Sequence, residues 1–239
     1  MNQMSVGTPS VQTFLDTLSE ESRNSILELG TTRKFIAGEI LFEEGAPIHE
    51  VHVIVKGQVK LSKQTAEGKI FTLFLKQNGD LISEGMLFDD TPSPMTAEAV
   101  TASEISVLPI QEMRNLFLQD QQLAIALMSW CSIQTQSTQA KFRDLILSGK
   151  QGALYSTLIR FAHSYGQETK QGILIKTPLT HQDLADYSGS TRENVNRMIT
   201  DLKKKGILTM EKSRILIHDL DYMKEILHCW SCPIDICTM

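Results

Sequence analysis

Short alternating runs of apolar and polar residues, separated by glycines, fill the chain from about residue 31 to residue 109. Segments such as VHVIVKG, QVKLSK, IFTLFLK and EISVLPI follow one another at close intervals, with turn residues between them. Alternation over four to eight residues is typical of strands that bury one face. The pattern therefore predicts an antiparallel β barrel or roll that no long helix interrupts.

Beyond Pro109 the alternation stops, and glycine is absent until Gly149. Apolar residues instead recur every three or four positions between residues 110 and 147, which predicts a helix. They are Leu123, Ala126, Leu127, Trp130, Ile133 and Ala140. Gln, Ser and Thr fill the lower half of this stretch, which favours a seam between two copies of the chain. The alternative is a helix that lies on its own β domain.

A second strong pattern follows a predicted hinge at Gly149–Gly152. A helix over residues 154–165 and a short strand lead into the segment PLTHQDLADYSGSTRENVNRMITDLKKKGIL. Thr180, with Asp183 three residues later, suits a helix N-terminus, and the YSGS turn centres on Gly189. A helix, a tight turn and a helix at this spacing predict a helix-turn-helix. The runs ILTM and ILIH after it predict a two-stranded wing.

The second helix of this motif divides by period into an apolar face and a polar face. The polar face carries Arg192, Glu193, Asn196 and Arg197, and Lys203 and Lys204 extend the cationic run. Arginine pairs with guanine, glutamate with the amino group of cytosine and asparagine with adenine, while lysine contacts phosphates. These six residues are therefore predicted to bind DNA. A solvated helix face is the alternative, with Glu193 as a capping-box partner of Ser190.

Three of the four cysteines, Cys229, Cys232 and Cys237, lie within the last eleven residues of the chain. Soft thiolate sulfur is the ligand that zinc and iron–sulfur centres select. A disulfide framework is not expected, because the opening residues do not resemble a secretion signal. The pattern predicts a metal or iron–sulfur site that needs a fourth ligand from elsewhere. Chance thiols and a structural zinc ion are the alternatives.

Composition leaves these interpretations open. A hydrophobic content of 41% with 21% charged residues is ordinary for a globular protein, and no apolar run is long enough to span a bilayer. A cytoplasmic protein without a membrane partner is therefore expected. The net charge of −5 argues against nucleic acid, but residues 151–228 carry 11 Lys and Arg against 9 Asp and Glu. The sequence contains no phosphate loop, nucleophile elbow or HExxH motif, so an enzyme is not predicted.

A glycine-punctuated β roll, a long helix and a winged helix-turn-helix, in that order, resemble the CRP/FNR family of bacterial transcription regulators over nearly the whole chain. STRENVNRM is similar to the family's recognition helix, and RDLILSGKQGALYSTLIR with the cysteine tail is similar to the Bacillus-type FNR regulators. The resemblance implies an α+β fold. It places a cyclic-nucleotide-binding-like β roll at residues 1–109, a dimerisation helix at 110–148, a DNA-binding domain at 149–228 and a cluster-binding tail at 229–239.

The same resemblance implies one [4Fe–4S] cluster per subunit, with Asp144 in KFRDLIL as the fourth ligand beside the three tail cysteines. An oxygen ligand is weaker for iron–sulfur than thiolate, which suits a labile centre. Cys131 is the rival on chemistry alone, but it lies thirteen residues earlier, roughly 20 Å along a helix axis, and is expected to be a small buried thiol. The alternative for Asp144 is an ion pair with Lys141 on a wet surface. His228 and Asp235 are weaker candidates.

The β roll lacks one feature of the cyclic-AMP-responsive members of this family. Their phosphate cassette resembles GELGLF and is followed by an Arg-Ser pair, whereas this chain reads SEGMLF and then DDTPSPM. Pro94 and Met95 stand where that pair would be, close to Asp89 and Asp90. A phosphate would therefore lack its charge-assisted partner. The β roll is expected to be a scaffold and not a nucleotide sensor.

These features together predict a homodimeric, oxygen-responsive transcription regulator of genes for anaerobic metabolism, with RNA polymerase as a further partner. Arg192, Glu193 and Arg197 resemble the base-reading trio of the cyclic-AMP-responsive members, which implies a palindromic operator with TGTGA half-sites. The enterobacterial FNR pattern lacks the leading arginine and prefers TTGAT. A cyclic-nucleotide-responsive regulator, or a zinc or thiol redox-responsive one, is the alternative.

Overall fold

The computed structural model describes residues 12–89, 91–229 and 232–239 of the 239-residue chain. They form two compact units, residues 12–133 and residues 134–239. Each unit contains helices and antiparallel strands, so the expected α+β class is confirmed. Residues 1–11 of the predicted β-roll domain lie outside the described residues.

The first unit is built on two four-stranded antiparallel sheets with the orders β1-β8-β3-β6 and β2-β7-β4-β5. The strands are β1 (Thr31–Phe35), β2 (Ile40–Phe42), β3 (Glu50–Lys56), β4 (Val59–Gln64), β5 (Ile70–Lys76), β6 (Leu81–Ile82), β7 (Thr96–Ala99) and β8 (Ser103–Pro109). An apolar cluster joins the inner faces of the two sheets, with Ile54 and Ile105 from one and Val59 and Phe74 from the other. The alternating segments of the sequence thus form the predicted β roll.

The helical stretch predicted over residues 110–147 is in fact broken at Asp120. Helix α1 (Glu20–Leu29) precedes the roll, and helices α2 (Ile110–Gln119) and α3 (Gln121–Tyr165) follow it. The Asp120 carboxylate accepts hydrogen bonds from the backbone N–H of Leu123 at 3.0 Å and from the Ser22 hydroxyl at 2.6 Å. Because an aspartate satisfies the free N–H groups at the start of a helix, it begins α3 and ends α2.

The apolar stripe at the start of α3 faces the β roll of its own chain. Leu123, Leu127 and Trp130 are buried in one cluster with side chains of α1, α2 and β3. The Phe14 ring meets Trp130 edge-on, with 6.1 Å between ring centroids. The prediction that these residues form the seam between two copies is therefore wrong, and the alternative of a helix on its own β domain is confirmed for them. Periodicity identified the buried face but not its partner.

In the second unit α3 is interrupted at Gly149, whose φ of 59° and ψ of −155° lie outside the helical range. Glycine is the residue that adopts this region without strain, so the predicted hinge is confirmed at this position. Although α3 runs for 45 residues, none of the helices in the described ranges is long and apolar enough to cross a membrane.

The remaining elements of the second unit form a winged fold. Its helices are α4 (His181–Ser188), α5 (Arg192–Lys204) and α6 (Leu220–Ile226). Its strands are β9 (Gly166–Thr169), β10 (Gly172–Ile175), β11 (Leu208–Glu211) and β12 (Arg214–Ile217), in the order β11-β12-β10-β9. The predicted two-stranded wing is therefore one half of a four-stranded antiparallel sheet.

Candidate functional site

Local hydrogen bonds define where α4 and α5 begin and end. Thr180 Oγ1 accepts from the backbone N–H of Asp183 at 3.1 Å, and the Asp183 carboxylate accepts from the N–H of Thr180 at 2.7 Å. Gly189 ends α4 with a φ of 61°, in the left-handed region that favours glycine. Thr191 begins α5 by accepting from the N–H of Asn194 at 3.3 Å. The helix-turn-helix prediction is confirmed in its turn residue and in both helix starts.

Helix α5 buries one face and exposes the other. The buried face carries Val195, Ile199 and Leu202, which pack inside the second unit. All six residues predicted to bind DNA are exposed: Arg192, Glu193, Asn196, Arg197, Lys203 and Lys204. Because Thr191 is the N-cap, Glu193 is not a capping-box partner of Ser190, and that alternative is wrong. The exposed face has the size and chemistry to enter a major groove.

One lysine at the end of α5, Lys205, is exposed like Lys203 and Lys204 but also contacts α6. Lys205 Nζ donates to the Tyr222 hydroxyl at 2.6 Å and lies 5.1 Å from the centre of that ring, and this hydrogen bond raises the pKa of Lys205. The Lys205 side chain is thus bound to Tyr222 of α6.

The hairpin between β11 and β12 turns through Lys212 and Ser213, both at positive φ (46° and 66°), as a tight two-residue turn requires.

The cassette segment of the β roll is built from backbone hydrogen bonds and small polar side chains. Ser83 lies in the left-handed region (φ 73°), and its hydroxyl is 3.1 Å from Nδ1 of His52. Burial lowers the pKa of His52 to about 4, so the imidazole offers no positive charge at neutral pH. The Ser93 hydroxyl donates to the carbonyl of Met95 at 2.7 Å. Residues 83–95 include no Arg or Lys, and Asp90 lies outside the described residues.

The three tail thiols are brought next to one another. Cys229 hydrogen-bonds to both Cys237 and Cys232. The bond between Cys229 and Cys237 raises the pKa of Cys229 and lowers the pKa of Cys237. Cys237 is 6% exposed, whereas Cys229 and Cys232 are half-buried. Nη1 and Nη2 of Arg143 each lie 3.8 Å from Sγ of Cys232.

Asp144 is buried beside these thiols, with a side chain 5% exposed. Its Oδ1 accepts from Nε and Nη2 of Arg143 at 3.0 and 2.7 Å. Its Oδ2 accepts from the Ser156 hydroxyl at 2.6 Å and lies 3.9 Å from Nη2 of Arg160. The alternative placed Asp144 on a wet surface beside Lys141. That placement is wrong, because the Asp144 side chain is buried. A carboxylate this buried requires such partners.

The interruption at Gly149 is what brings these groups together. Asp144 and Ser156 are 12 residues apart in α3, which in a straight helix corresponds to roughly 18 Å along the axis. Their side chains are instead 2.6 Å apart. Ser137 and Arg160 are 23 residues apart, yet Nη1 of Arg160 donates to the Ser137 hydroxyl at 3.2 Å. The two segments of α3 therefore fold back on each other in the second unit.

Side chains from both segments of α3 hold the backbone of the tail. Nη1 of Arg160 donates to the carbonyls of Ile236 at 2.8 Å and Thr238 at 3.1 Å. Nδ1 of His163 lies 3.1 Å from the carbonyl between them, that of Cys237. The third member of this group, Ser137, donates to the carbonyl of Thr238 at 3.4 Å. We call Ser137, Arg160 and His163 the tail cradle, because together they hold three consecutive carbonyls.

Cys131 lies in the first unit and packs against the same apolar cluster as Trp130. Burial raises the pKa of its thiol, which disfavours the thiolate form that a metal requires. Cys131 is half-buried, so the thiol that was expected to be buried packs against the cluster without being fully enclosed by it. Of the two weaker candidates, His228 is exposed with a φ of 49°, and Asp235 is half-buried in the tail.

The predicted ligands can be compared with the needs of an iron–sulfur cluster. Three thiols and a buried carboxylate, with Arg143 and Arg160 beside them, are a donor set that suits an anionic cluster. In the described ranges, with their gaps at residues 1–11, 90 and 230–231, no three His, Cys, Asp or Glu side chains are spaced as they would be around one bound ion.

Sequence patterns alone did not identify Arg160, Ser156 and His163 as neighbours of this site. One signal was present: Arg160 interrupts the apolar run TLIRFA, and an isolated cation in such a run marks a buried charge that needs partners. Ser156 lies four residues before it, on the same helix face.

Comparison with known proteins gives the context for this geometry. Residues 32–120 match the family model for a cyclic nucleotide-binding domain, and residues 153–226 match that for a Crp-like helix-turn-helix domain. The anaerobic regulatory protein of Bacillus subtilis is 38% identical over 226 residues, which is 94% of this chain and 95% of its own. A CRP-like cAMP-activated global transcriptional regulator of Mycobacterium tuberculosis is 25% identical over 187 residues, 77% of this chain and 83% of its own.

Among solved structures, a CooA variant from Carboxydothermus hydrogenoformans has a TM-score of 0.77 at 21% identity, covering 90% of this chain and 96% of that one. This likeness supports the fold. The identity to the Bacillus protein extends over nearly the whole of both chains, and the relatives are regulators and not enzymes. The chain belongs to the CRP/FNR family of DNA-binding transcription regulators.

Proposed function

We propose that this regulator responds to oxygen and controls genes for anaerobic metabolism, with a [4Fe–4S] cluster in each subunit as its sensor. The observation that carries the proposal is that Arg143 contacts both the buried Asp144 carboxylate and Sγ of Cys232, while Cys229 hydrogen-bonds to the other two tail thiols. The 38% identity to a protein named an anaerobic regulatory protein supports the same function.

Cys229, Cys232, Cys237 and Asp144 would hold the cluster, which when bound supplies a redox centre that oxygen can oxidise. Asp144 keeps one oxygen oriented through the buried Ser156 hydroxyl. Its other oxygen is bound by Arg143, whose side chain is 45% exposed and can turn toward solvent to free that oxygen. A harder oxygen ligand among thiolates makes the site more easily dismantled than one with four thiolates.

A route from the tail to the DNA-binding helices lies within the second unit. Arg160 and His163 hold the tail, and Phe161 between them packs edge-on against Tyr187 of α4, with 5.0 Å between ring centroids. A change in how the tail is held therefore reaches α4 through one turn of helix. Close-packed aromatic contacts transmit such shifts because they leave no free volume.

CRP-family regulators bind DNA as dimers, and we propose the same here, with RNA polymerase as a further partner and the bacterial cytoplasm as the location. Exposed apolar residues on α3 supply a seam: Ile125 and Met128 in the first unit, and Phe142 and Ile146 in the second. Within each unit the two residues are three or four positions apart, which fits the 3.5-residue period of a two-stranded coiled coil. This stripe differs from the one that packs on the β roll.

The sensor is tested by purifying the chain under anaerobic conditions and measuring iron, sulfide and visible absorbance. We expect a brown protein that bleaches in air, with a parallel change in affinity for operator DNA. A colourless, air-stable protein that contains zinc would contradict the proposal. That outcome would favour the zinc or thiol redox-responsive regulator instead.

The DNA target is tested by selection from random duplexes. We expect TGTGA and its inverse, with half-site centres about 34 Å apart. Arg192→Ala should relax the choice at one guanine, at a cost of about 1–3 kcal/mol. Lys204→Ala is the matched control, because it should weaken all sequences alike and reduce the salt slope by about 0.9. Recovery of TTGAT, or unchanged preference in Arg192→Ala, would refute this assignment of α5.

A further inference from the structure

Arg160 is a buried cation whose contacts come from three separate segments of the second unit. Its side chain is 3% exposed, although apolar residues flank it in the run TLIRFA. Such burial is costly unless each guanidinium N–H finds an acceptor. The acceptors come from the first segment of α3, from the second segment and from the tail.

The individual contacts divide the guanidinium between these segments. Nη1 donates to Ser137 in the first segment and to the carbonyls of Ile236 and Thr238 in the tail. Nε donates to the Ser156 hydroxyl at 3.2 Å, and that hydroxyl in turn donates to Asp144. Arginine alone among the side chains offers donors in a planar fork that can serve several acceptors at once.

The two tail carbonyls that Arg160 holds belong to the residues on either side of Cys237. The position of the Cys237 backbone is therefore set from both sides, while Ser156 connects the same guanidinium to Asp144. All three tail thiols and Asp144 lie within electrostatic range of Arg160. One side chain thus joins one predicted thiol ligand to the predicted oxygen ligand.

We propose that Arg160 is a positioning residue that seats residues 236–238 on α3, and so places Cys237 opposite Asp144 before any metal or cluster binds. The description of Cys237 and Asp144 as ligands rests on the proposed function, whereas the seating of the tail does not. The metal-free chain therefore tests the seating by itself.

Arg143 provides the matched control. It is also an arginine in contact with Asp144, and it reaches Cys232, but its side chain is 45% exposed. Within the part of the tail that the structure describes, residues 229 and 232–239, Arg143 contacts the side chain of Cys232 and no backbone carbonyl. Its removal should leave the tail in place.

The test uses the reduced, metal-free full-length chain and measures the alkylation rate of Cys237 with iodoacetamide, mapped by mass spectrometry. Cys237 is 6% exposed when the tail is seated, so alkylation requires release. Arg160→Ala should accelerate this reaction by about tenfold or more, because several charge-assisted hydrogen bonds are lost. Arg143→Ala should leave the rate of Cys237 within about twofold of wild type, since its contact with the tail is a half-exposed one.

Chemical rescue separates positioning from general loss of structure. Millimolar ethylguanidinium should slow the alkylation of Cys237 in Arg160→Ala, since the reagent can occupy the space that the Arg160 guanidinium leaves. It should leave the alkylation rate of Cys237 in Arg143→Ala unchanged. Hydrogen exchange of strands β10 and β12, which lie outside the proposed route to the DNA-binding helices, should stay at the wild-type level if the second unit keeps its fold. Three results would each overturn the proposal: an alkylation rate of Cys237 that is unchanged in Arg160→Ala, a rate that rises equally in Arg143→Ala, or an ethylguanidinium rescue that fails.

A second measurement connects the seating to the cluster. On anaerobic reconstitution, Arg160→Ala should take up less iron than wild type, and ethylguanidinium should restore part of the uptake. Full iron uptake with a released tail would overturn the role of Arg160 in placing Cys237. If the wild-type chain takes up no iron, the proposed function fails while the alkylation test still decides the seating.

Discussion

The two units of this chain bury charged side chains in different ways. In the β roll, Asp80 and His52 are buried, and their pKa values respond mainly to that burial: the pKa of Asp80 rises to about 6 and that of His52 falls to about 4. In the second unit, Asp144 and Arg160 are buried as oppositely charged groups joined through Ser156.

The difference teaches where a signal can act. The Asp80 carboxylate accepts a hydrogen bond from the backbone N–H of Gln77, three residues away, and the buried Lys76, four residues away, favours its charged form, so the groups that act on Asp80 most strongly are close to it in sequence. Asp144 and Arg160 instead connect two helix segments and the tail, so a change at either one alters how separate segments are held. A sensor is therefore expected in the second unit and not in the β roll.

The largest expected effect is on the tail thiols. Cys232→Ser should lose most of the iron and visible absorbance of the anaerobic protein, because a hydroxyl is a poor substitute for a thiolate ligand. Cys131→Ala, in the first unit, should keep both near the wild-type level. Iron analysis and absorbance measure both variants. Full iron retention in Cys232→Ser would remove the tail from the sensor and break the comparison.

Asp144→Asn should have a smaller effect than loss of a thiol. The amide keeps the shape of the carboxylate but not its charge, so a cluster should assemble and then decay faster in air. Absorbance decay after exposure to air gives the rate, and thermal unfolding of the metal-free variant shows whether the fold is retained. Unchanged iron content and oxygen sensitivity would assign the fourth ligand to another residue.

The β roll should show two opposed pH dependences of stability. His52 stays neutral when folded, with its pKa near 4, so the stability it contributes is lost as pH falls from about 6.5 to 4. Asp80 keeps its proton when folded, with its pKa near 6, so its contribution is lost as pH rises from about 4 to 6. Each group changes the free energy of unfolding by about 3 kcal/mol over its pH range, and the two changes have opposite signs and largely cancel.

Substituting one of the two residues should reveal the pH dependence of the free energy of unfolding that the other contributes. Asp80→Asn should make the β roll less stable on acidification, and His52→Gln should make it less stable on the rise from pH 4 to 6. Urea unfolding followed by Trp130 fluorescence in a Trp230→Phe background reports on the first unit, since Trp130 is buried there. Parallel pH profiles in both variants would show that the burial of these groups does not control their titration.

The smallest expected effect is that of cyclic AMP. Because residues 83–95 carry no cation and include Asp89, calorimetric titration should give no micromolar binding. Tight binding accompanied by stronger operator binding would move the sensor to the β roll. That result would reverse the comparison between the two units.

Much of the fold was predictable because local chemistry decides it. The capping pair of Thr180 and Asp183 and the left-handed Gly189 act within a few residues, and they were identified correctly. The break at Asp120 was missed because an N-cap within an apolar run leaves the helical period almost unchanged. The partner of the Leu123 stripe was missed because a period reports a face and not what covers it.

The candidate site was only half predictable for a different reason. Cysteines and the resemblance around Asp144 identified four residues, but the contacts of Arg160 depend on where α3 folds back. Gly149 marked a hinge in the sequence, yet the direction that the chain takes after it is set by packing of the whole second unit. Spacing along a straight helix would have placed Ser156 far from Asp144.

The tail cradle binds carbonyl oxygens, which every amino acid carries. Substitutions at Ile236 or Thr238 therefore leave the hydrogen bonds of the cradle intact. The side chains at these two positions can change while the tail stays bound to α3. Across related genes, the signature of this docking mode would be inherited on the helix, as an arginine and a histidine three residues apart. A search based on the tail alone would recognise its cysteines and overlook the surface that receives them.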